Sequence, residues 1–283
     1  MQTINDAVLE IISSVSNTTS INEANNFVRL LFNHLRGYLI IDLTLNGNEK
    51  LSFDEIIFLR NSIERLKQSE PIQYILGKCE FMGLPILVNK NVFIPRPETE
   101  ELVEWALNEI GEKQLKILDI GTGSGVIACS IKKYAFNSTV EAWDFSESAL
   151  ETAKKNSDNN SLKIKFKLVD ILNLQYYKKE MFDVIISNPP YVTEKEKIFM
   201  QSNVLNYEPH SALFVPDDNP LLFYKKISDF AFQSLKPNGF LFFEINESFG
   251  NEIINLLHEK GFKNIVLRMD ISEKERLVKA QIP

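Results

Sequence analysis

From Lys116 onward, short apolar runs of strand length alternate with amphipathic stretches of helical period, and no other feature narrows the possible folds as much. Strands are expected at 117–119, 139–144, 164–170, 184–187, 240–245, 265–268 and 277–281, and helices at 126–133, 146–156, 221–235 and 252–260. Pro237-Asn238-Gly239 is expected to turn the chain before the strand at 240. A strand that is followed by a helix and then another strand returns parallel to itself. The pattern therefore predicts an α/β fold, a doubly wound and mostly parallel Rossmann-like sheet. Ligands of such sheets bind beyond the carboxyl ends of the strands. Asp119, Asp144, Asp170 and Asn188 each stand at such an end, so all four are expected to line one crevice.

The most specific chemistry follows the apolar run Phe182-Asp183-Val184-Ile185-Ile186-Ser187, whose β-branched content marks a buried strand. Two consecutive prolines forbid it to continue as helix or ladder, and the chain presents Asn188-Pro189-Pro190-Tyr191 there. The Asn188 carboxamide oxygen and the Pro189 carbonyl can both accept hydrogen bonds, and proline has no N–H to compete. Two neighbouring acceptors suit a planar NH2 group. The nitrogen of an amide or aromatic amine is a poor nucleophile because its lone pair is delocalised. Gripping both hydrogens turns that lone pair towards an electrophile, and Tyr191 offers a flat face for the group to stack on. An Asn before Pro is by itself an ordinary turn; a glycine-rich loop upstream lifts it above that.

That loop is Asp119-Ile120-Gly121-Thr122-Gly123-Ser124-Gly125, set between a strand and a helix. Glycines there let the backbone turn tightly and bring a ligand to the helix N-terminus. Dinucleotide and S-adenosylmethionine sites share this pattern, and they share Asp144 at the distance where a carboxylate bonds ribose hydroxyls. Two features favour S-adenosylmethionine. Val126 stands where the dehydrogenase form has a later glycine, and Asp119 precedes the loop, where a carboxylate could meet a methionine ammonium but would repel a pyrophosphate. The alternative role for Asp119 is to anchor loop amides.

The 283 residues leave room for a second, smaller domain, and the first part of the chain reads as helical. Residues 6–14 carry Val8, Leu9, Ile11 and Ile12 at helical spacing. Ser20-Ile21-Asn22-Glu23 and Ser52-Phe53-Asp54-Glu55 have the capping-box pattern ahead of apolar stripes. Such short amphipathic helices make a small bundle, a packing module or a docking surface for a macromolecular substrate; periodicity alone favours the former. A β-hairpin linker around Gly83 follows, then a helix opened by Pro97 and stopped at Gly111. The net charge of -7 and the lack of a Lys/Arg run weigh against a stand-alone duplex-DNA binder. Cys79 and Cys129 form no CxxC pair, and His34, His210 and His258 are scattered, so no metal site is expected. No window approaches a membrane span, which suggests a cytoplasmic protein.

Taken together, several segments resemble the peptide chain release factor glutamine methyltransferases: Glu70-Pro71-Ile72-Gln73-Tyr74-Ile75-Leu76-Gly77, Ile94-Pro95-Arg96-Pro97-Glu98-Thr99-Glu100, the glycine loop and Asn188 to Tyr191. Tyr207-Glu208-Pro209, Ala212-Leu213 and Arg276-Leu277-Val278-Lys279-Ala280 extend the likeness over essentially the whole chain. The Ile-Pro-Arg-Pro-Glu-Thr-Glu segment is the part most particular to that family. The resemblance implies a class I methyltransferase sheet at 96–283, a hairpin linker at 72–95 and a helical, substrate-docking domain at 1–71. It implies methyl transfer from S-adenosylmethionine to the side-chain amide of the glutamine in the Gly-Gly-Gln motif of release factors, with no direct nucleic-acid substrate and no membrane. By the same resemblance Gly121, Gly123 and Gly125 form the cofactor loop and Asp144 holds the ribose; Asp119, Thr122 and Ser124 of the same run are expected to bind the cofactor with them. Asp170 and Ile171 lie by the adenine. Asn188, Pro189, Pro190 and Tyr191 clamp the glutamine, with Asn188 also beside the cofactor. The chain departs from many relatives in having Asn246 and Phe249 for a Gly and a Gln, and Ile171 for an aromatic residue. Two other readings are an adenine-amine DNA methyltransferase and a non-catalytic protein that binds translation factors.

Overall fold

The computed structural model describes residues 1–17, 19–174 and 179–283. They form two compact units, Met1–Lys78 with Gln201–Tyr207, and Cys79–Met200 with Glu208–Pro283. The first unit holds α1 (Ile4–Val15), α2 (Ile21–Arg36), α3 (Ile40–Leu45), α4 (Phe53–Lys67) and α5 (Ile72–Leu76). The capping box at Ser52 forms in full: Glu55 N donates to Ser52 Oγ at 3.3 Å and Ser52 N to Glu55 Oε2 at 2.7 Å. At Ser20 only half of it forms, because the Glu23 carboxylate takes the Thr19 hydroxyl instead. α1 starts at Ile4 and buries Ile4, Ala7, Ile11 and Val15, whereas Leu9 of the expected stripe is exposed. These side chains share one core with Leu31, Phe32, Leu59 and Leu66. Residues 72–76, where the hairpin linker was expected to begin, are helical.

The hairpin itself is β1 (Lys78–Phe81) with β2 (Leu84–Leu87), ahead of α6 (Pro97–Ile110). Next come β3 (Lys116–Ile120), α7 (Val126–Tyr134), β4 (Thr139–Asp144), α8 (Glu147–Asn159), β5 (Ile164–Leu168) and β6 (Phe182–Ser187). Two short strands, β7 (Val192–Thr193) and β8 (Phe214–Val215), pair beside the end of β6, with α9 (Ser202–Tyr207) between them in sequence. The chain continues through α10 (Leu222–Ser234), β9 (Leu235–Glu244), α11 (Gly250–Glu259), β10 (Lys263–Met269) and β11 (Glu275–Gln281). The seven-stranded sheet has the order β10-β11-β9-β6-β3-β4-β5, parallel from β9 to β5 and antiparallel at β11 and β10. The expected alternation and the mostly parallel sheet are thus both observed.

Side chains of a strand alternate between faces. Leu118 and Ile120 of β3 join the core under α10 and α11, with Tyr224, Ile227, Phe243 and Leu257. Ile117 and Asp119 therefore face the other layer, made by α6, α7 and α8. The turn expected at Pro237-Asn238-Gly239 is a bulge within β9: Phe182 pairs Leu235, and two residues later Val184 pairs Phe240.

Candidate active site at the strand ends

A crevice opens at the carboxyl ends of β3, β4, β5 and β6. Gly121, Thr122, Gly123, Ser124, Asp144, Asp170, Ile171, Asn188, Pro189, Pro190 and Tyr191 all line it, together with Thr99, Phe145, Val169 and Phe223. Asp119 is the exception among the four strand-end residues. Its side chain lies behind the loop, where Oδ2 accepts the Thr122 hydroxyl at 2.6 Å and the Ala128 N–H at 3.2 Å. Oδ1 is buried without a partner. The expectation that Asp119 faces the crevice is therefore corrected by strand parity, which turns its side chain towards α7. Burial pushes its carboxyl up to about 7, although the Thr122 and Ala128 bonds pull the other way. Gly125 likewise packs rather than lines. A Cβ there would stand 3.0 Å from Ala153 Cβ, and φ is +83°.

The loop is fastened on three sides. Gly121 N and Thr122 N both donate to the Trp143 carbonyl, at 2.9 and 3.0 Å. Asp144 Oδ2 accepts from Gly123 N and Oδ1 from Ser146 N, each at 2.9 Å. Asn156, fully buried on α8, donates to the Ser124 carbonyl at 2.8 Å and exchanges two bonds with the Leu87 backbone. No Cβ at Gly121 or Gly123 would meet an atom within 4 Å, so both leave open space with φ of +74° and +54°. Burial raises the Asp144 carboxyl, against the pull of the Ser146 and Gly123 amides.

At the end of β6, Asn188 Nδ2 donates to Thr99 Oγ1 at 3.1 Å. The Thr99 hydroxyl donates to Glu244 Oε2 at 2.6 Å, and Glu244 Oε1 accepts the Tyr191 hydroxyl at 3.1 Å. Thr99 opens α6 and Glu244 ends β9, and both are buried. Burial holds Glu244 up to about 6, against the Thr99 and Tyr191 bonds and the nearby Arg276 charge. Another wall is locked by Glu208, buried, which accepts from Ile94 N at 3.1 Å and pairs with Arg96. Arg96 also lies 4.7 Å over the Phe93 ring.

Comparison with known proteins shows the family to which the chain belongs. Residues 9–77 match the model of the PrmC N-terminal domain, and residues 99–207 that of the methyltransferase small domain. A release factor glutamine methyltransferase of Flavobacterium psychrophilum is 46% identical over 261 residues, 91% of this chain and 91% of that protein. One of Bacteroides thetaiotaomicron is 41% identical over 86% of this chain and 85% of that protein. The chain belongs to the release factor glutamine methyltransferase family. A solved methyltransferase from Pyrococcus furiosus shares the fold, with a TM-score of 0.52 at 21% identity over 71% of this chain and 90% of that one.

As a member of this family the chain is an S-adenosylmethionine-dependent methyltransferase, and its crevice suits that cofactor. The described residues that line it include the carboxylates of Asp144 and Asp170 but no Lys, Arg or His. Such a lining favours a cationic nucleoside and disfavours a pyrophosphate. The departures from many release factor glutamine methyltransferases also acquire physical roles. Asn246 has φ of -69°, which requires no glycine; its Nδ2 donates to the Tyr191 carbonyl at 3.2 Å and to Glu196, and its Oδ1 accepts from Ser248 N at 2.9 Å. Ile171 and Phe249 pack on the core below the crevice. Sequence reasoning missed Thr99 and Glu244 as members of the site. The rule that flags residues at strand carboxyl ends, applied to β9, would have found Glu244.

Proposed function

We propose that this chain methylates the side-chain amide nitrogen of the glutamine in the Gly-Gly-Gln motif of release factors, through a clamp made by Asn188, Pro189 and Tyr191. One observation carries the reading. The Asn188 Nδ2 is engaged by Thr99, which leaves its Oδ1 outside that bond as an acceptor, and Asn188 and Pro189 both line the crevice. Oδ1 and the Pro189 carbonyl would accept the two amide hydrogens, and Tyr191, fixed through its hydroxyl, would support the amide plane. When bound, S-adenosylmethionine supplies a methyl group made electrophilic by its sulfonium. Gly121 to Ser124, Asp144, Asp170 and Ile171 are the residues that would hold it, while the loop fastenings keep them in place. Asn188 carries no charge to lend as a base, so positioning carries most of the rate in this reading. Residues 1–71 are proposed as the substrate-docking domain.

An adenine amine would fit the same clamp, but a net charge of -7 and the lack of cationic side chains among the described residues that line the crevice weigh against DNA. A non-catalytic translation-factor binder would have no need of the Asn188 orientation. A cytoplasmic setting goes with this reading, as do the free thiols Cys79 and Cys129. No described helix is long and apolar enough to cross a membrane.

The test is transfer of label from S-adenosylmethionine to a purified release factor, beside the same factor with Gln→Ala in its Gly-Gly-Gln motif and a duplex DNA control. Label is expected on the intact factor alone. Asn188→Ala should lower turnover by about a hundredfold or more, with cofactor affinity changed only a few-fold. Label on DNA, or a fully active Asn188→Ala variant, would overturn the reading.

A further inference from the structure

We infer that Thr99 and Glu244 are positioning residues that decide which way the Asn188 carboxamide faces, through a hydrogen-bond chain with only one possible polarity while Glu244 is a carboxylate. The inference rests on the clamp reading and adds to it the device that sets the clamp. A carboxylate can only accept. The single proton of the Thr99 hydroxyl is therefore committed to Glu244 Oε2, at 2.6 Å. With its proton spent, Thr99 Oγ1 can only accept, and its 3.1 Å neighbour on Asn188 must be the NH2 group. The carboxamide oxygen is then left for the crevice. The second Glu244 oxygen takes the Tyr191 hydroxyl at 3.1 Å, so one buried carboxylate orients both ends of the Asn188 to Tyr191 motif.

Protonation of Glu244 removes the constraint. A protonated Glu244 can donate to Thr99, which frees the Thr99 hydroxyl to donate in turn to Asn188. The carboxamide can then rotate and present NH2 to the NH2 it should bind, a contact of donor against donor. The groups around Glu244 are Tyr191, Arg276, Glu98 and Tyr224, whose hydroxyl donates to the Glu244 backbone carbonyl at 3.2 Å. Arg276 and the two side-chain bonds hold the carboxylate charged, whereas burial and Glu98 oppose it, so that it takes up its proton at about 6. Above that value the orientation is fixed, and below it the constraint is lost. Turnover should therefore fall as the pH drops through about 6 and level off at the reduced rate of a protein that lacks the constraint.

The experiment is steady-state methylation of a release factor by the full-length protein and by Thr99→Val, Thr99→Ser, Glu244→Gln and Asn188→Ala, from pH 5 to pH 8. Cofactor affinity and melting temperature are measured alongside. Valine keeps the shape of threonine but cannot bond, and is expected to lower kcat by about tenfold to a hundredfold with KM and cofactor affinity within about threefold. Serine restores the hydroxyl and should restore kcat. Glu244→Gln should lose the acid limb near pH 6 along with most of its turnover. If Glu244→Gln fails to fold, the valine and serine pair still decides the matter. Wild-type kcat in Thr99→Val beside an inactive Asn188→Ala would overturn this inference and leave the clamp standing, as would equal losses in valine and serine. An active Asn188→Ala would remove the clamp and this inference with it.

Discussion

Replacing Asp119 with Asn should change how folding stability depends on pH. In the fold its carboxyl is held at about 7, chiefly by burial, against 3.8 for the ordinary group. Between those values the folded state keeps a proton that the unfolded chain has lost, so it binds more protons and stability falls as pH rises. Below 3.8 the cost is absent; above about 7 it is complete, at roughly 4 kcal/mol from about 1.4 kcal/mol per pH unit. Of this, about 2.5 kcal/mol accrues between pH 5 and pH 8. Asparagine is neutral throughout and can still accept from Thr122 and Ala128 on one oxygen, with its NH2 where Oδ1 lies without a partner. That NH2 adds a constant offset, so the readout is the difference between Asp119→Asn and wild type at each pH. Urea denaturation followed by tryptophan fluorescence gives it, and the Glu244 titration cancels because both proteins share it. The difference should move in favour of Asn by about 2.5 kcal/mol from pH 5 to pH 8. A difference constant to within about 0.5 kcal/mol would refute the reasoning.

Two further substitutions probe the loop that Asp119 anchors. Asn156→Ala removes three hydrogen bonds and strands the Ser124 carbonyl, which should cost about 3 kcal/mol in urea denaturation and weaken cofactor binding. Gly125→Ala meets Ala153 at 3.0 Å with φ of +83°; calorimetric titration should find cofactor affinity reduced about tenfold, and Ala153→Gly as a second change should recover only the steric part.

The features set by local chemistry could be read directly from the sequence. Helix starts at Ser52 and Pro97, the stop at Gly111, and the strand–helix alternation all depend on residues a few positions apart. α3 and α5, of six and five residues, are too short for a 3.6-residue period to declare itself. The Pro237 turn signal was real but had been absorbed into a bulge, because pairing with β6 resumes at Phe240. In the site, the glycine loop and the Asn188 motif are each contiguous and therefore recognisable. Thr99 and Glu244 lie 145 positions apart and meet only through the packing of α6 on β9. Asp119 illustrates the opposite limit, since its place at a strand end was correct and strand parity decided which layer it faces.

The position of β11 bears on how the protein is made. It follows all the other strands in sequence, yet it sits inside the sheet, between β9 and β10, and its Leu277 pairs with Glu244. Synthesis from the N-terminus delivers β3, β4, β5, β6 and β9 first, and until residues 275–281 follow, one edge of β9 is left with unpaired backbone groups. Such an edge can capture a strand from another chain. A nascent or truncated chain would thus have its glycine loop before it had a steadied Glu244, and would be prone to aggregation during that interval. Crowded translation should penalise any change that delays β11 more heavily than a change of equal thermodynamic cost elsewhere in the sheet.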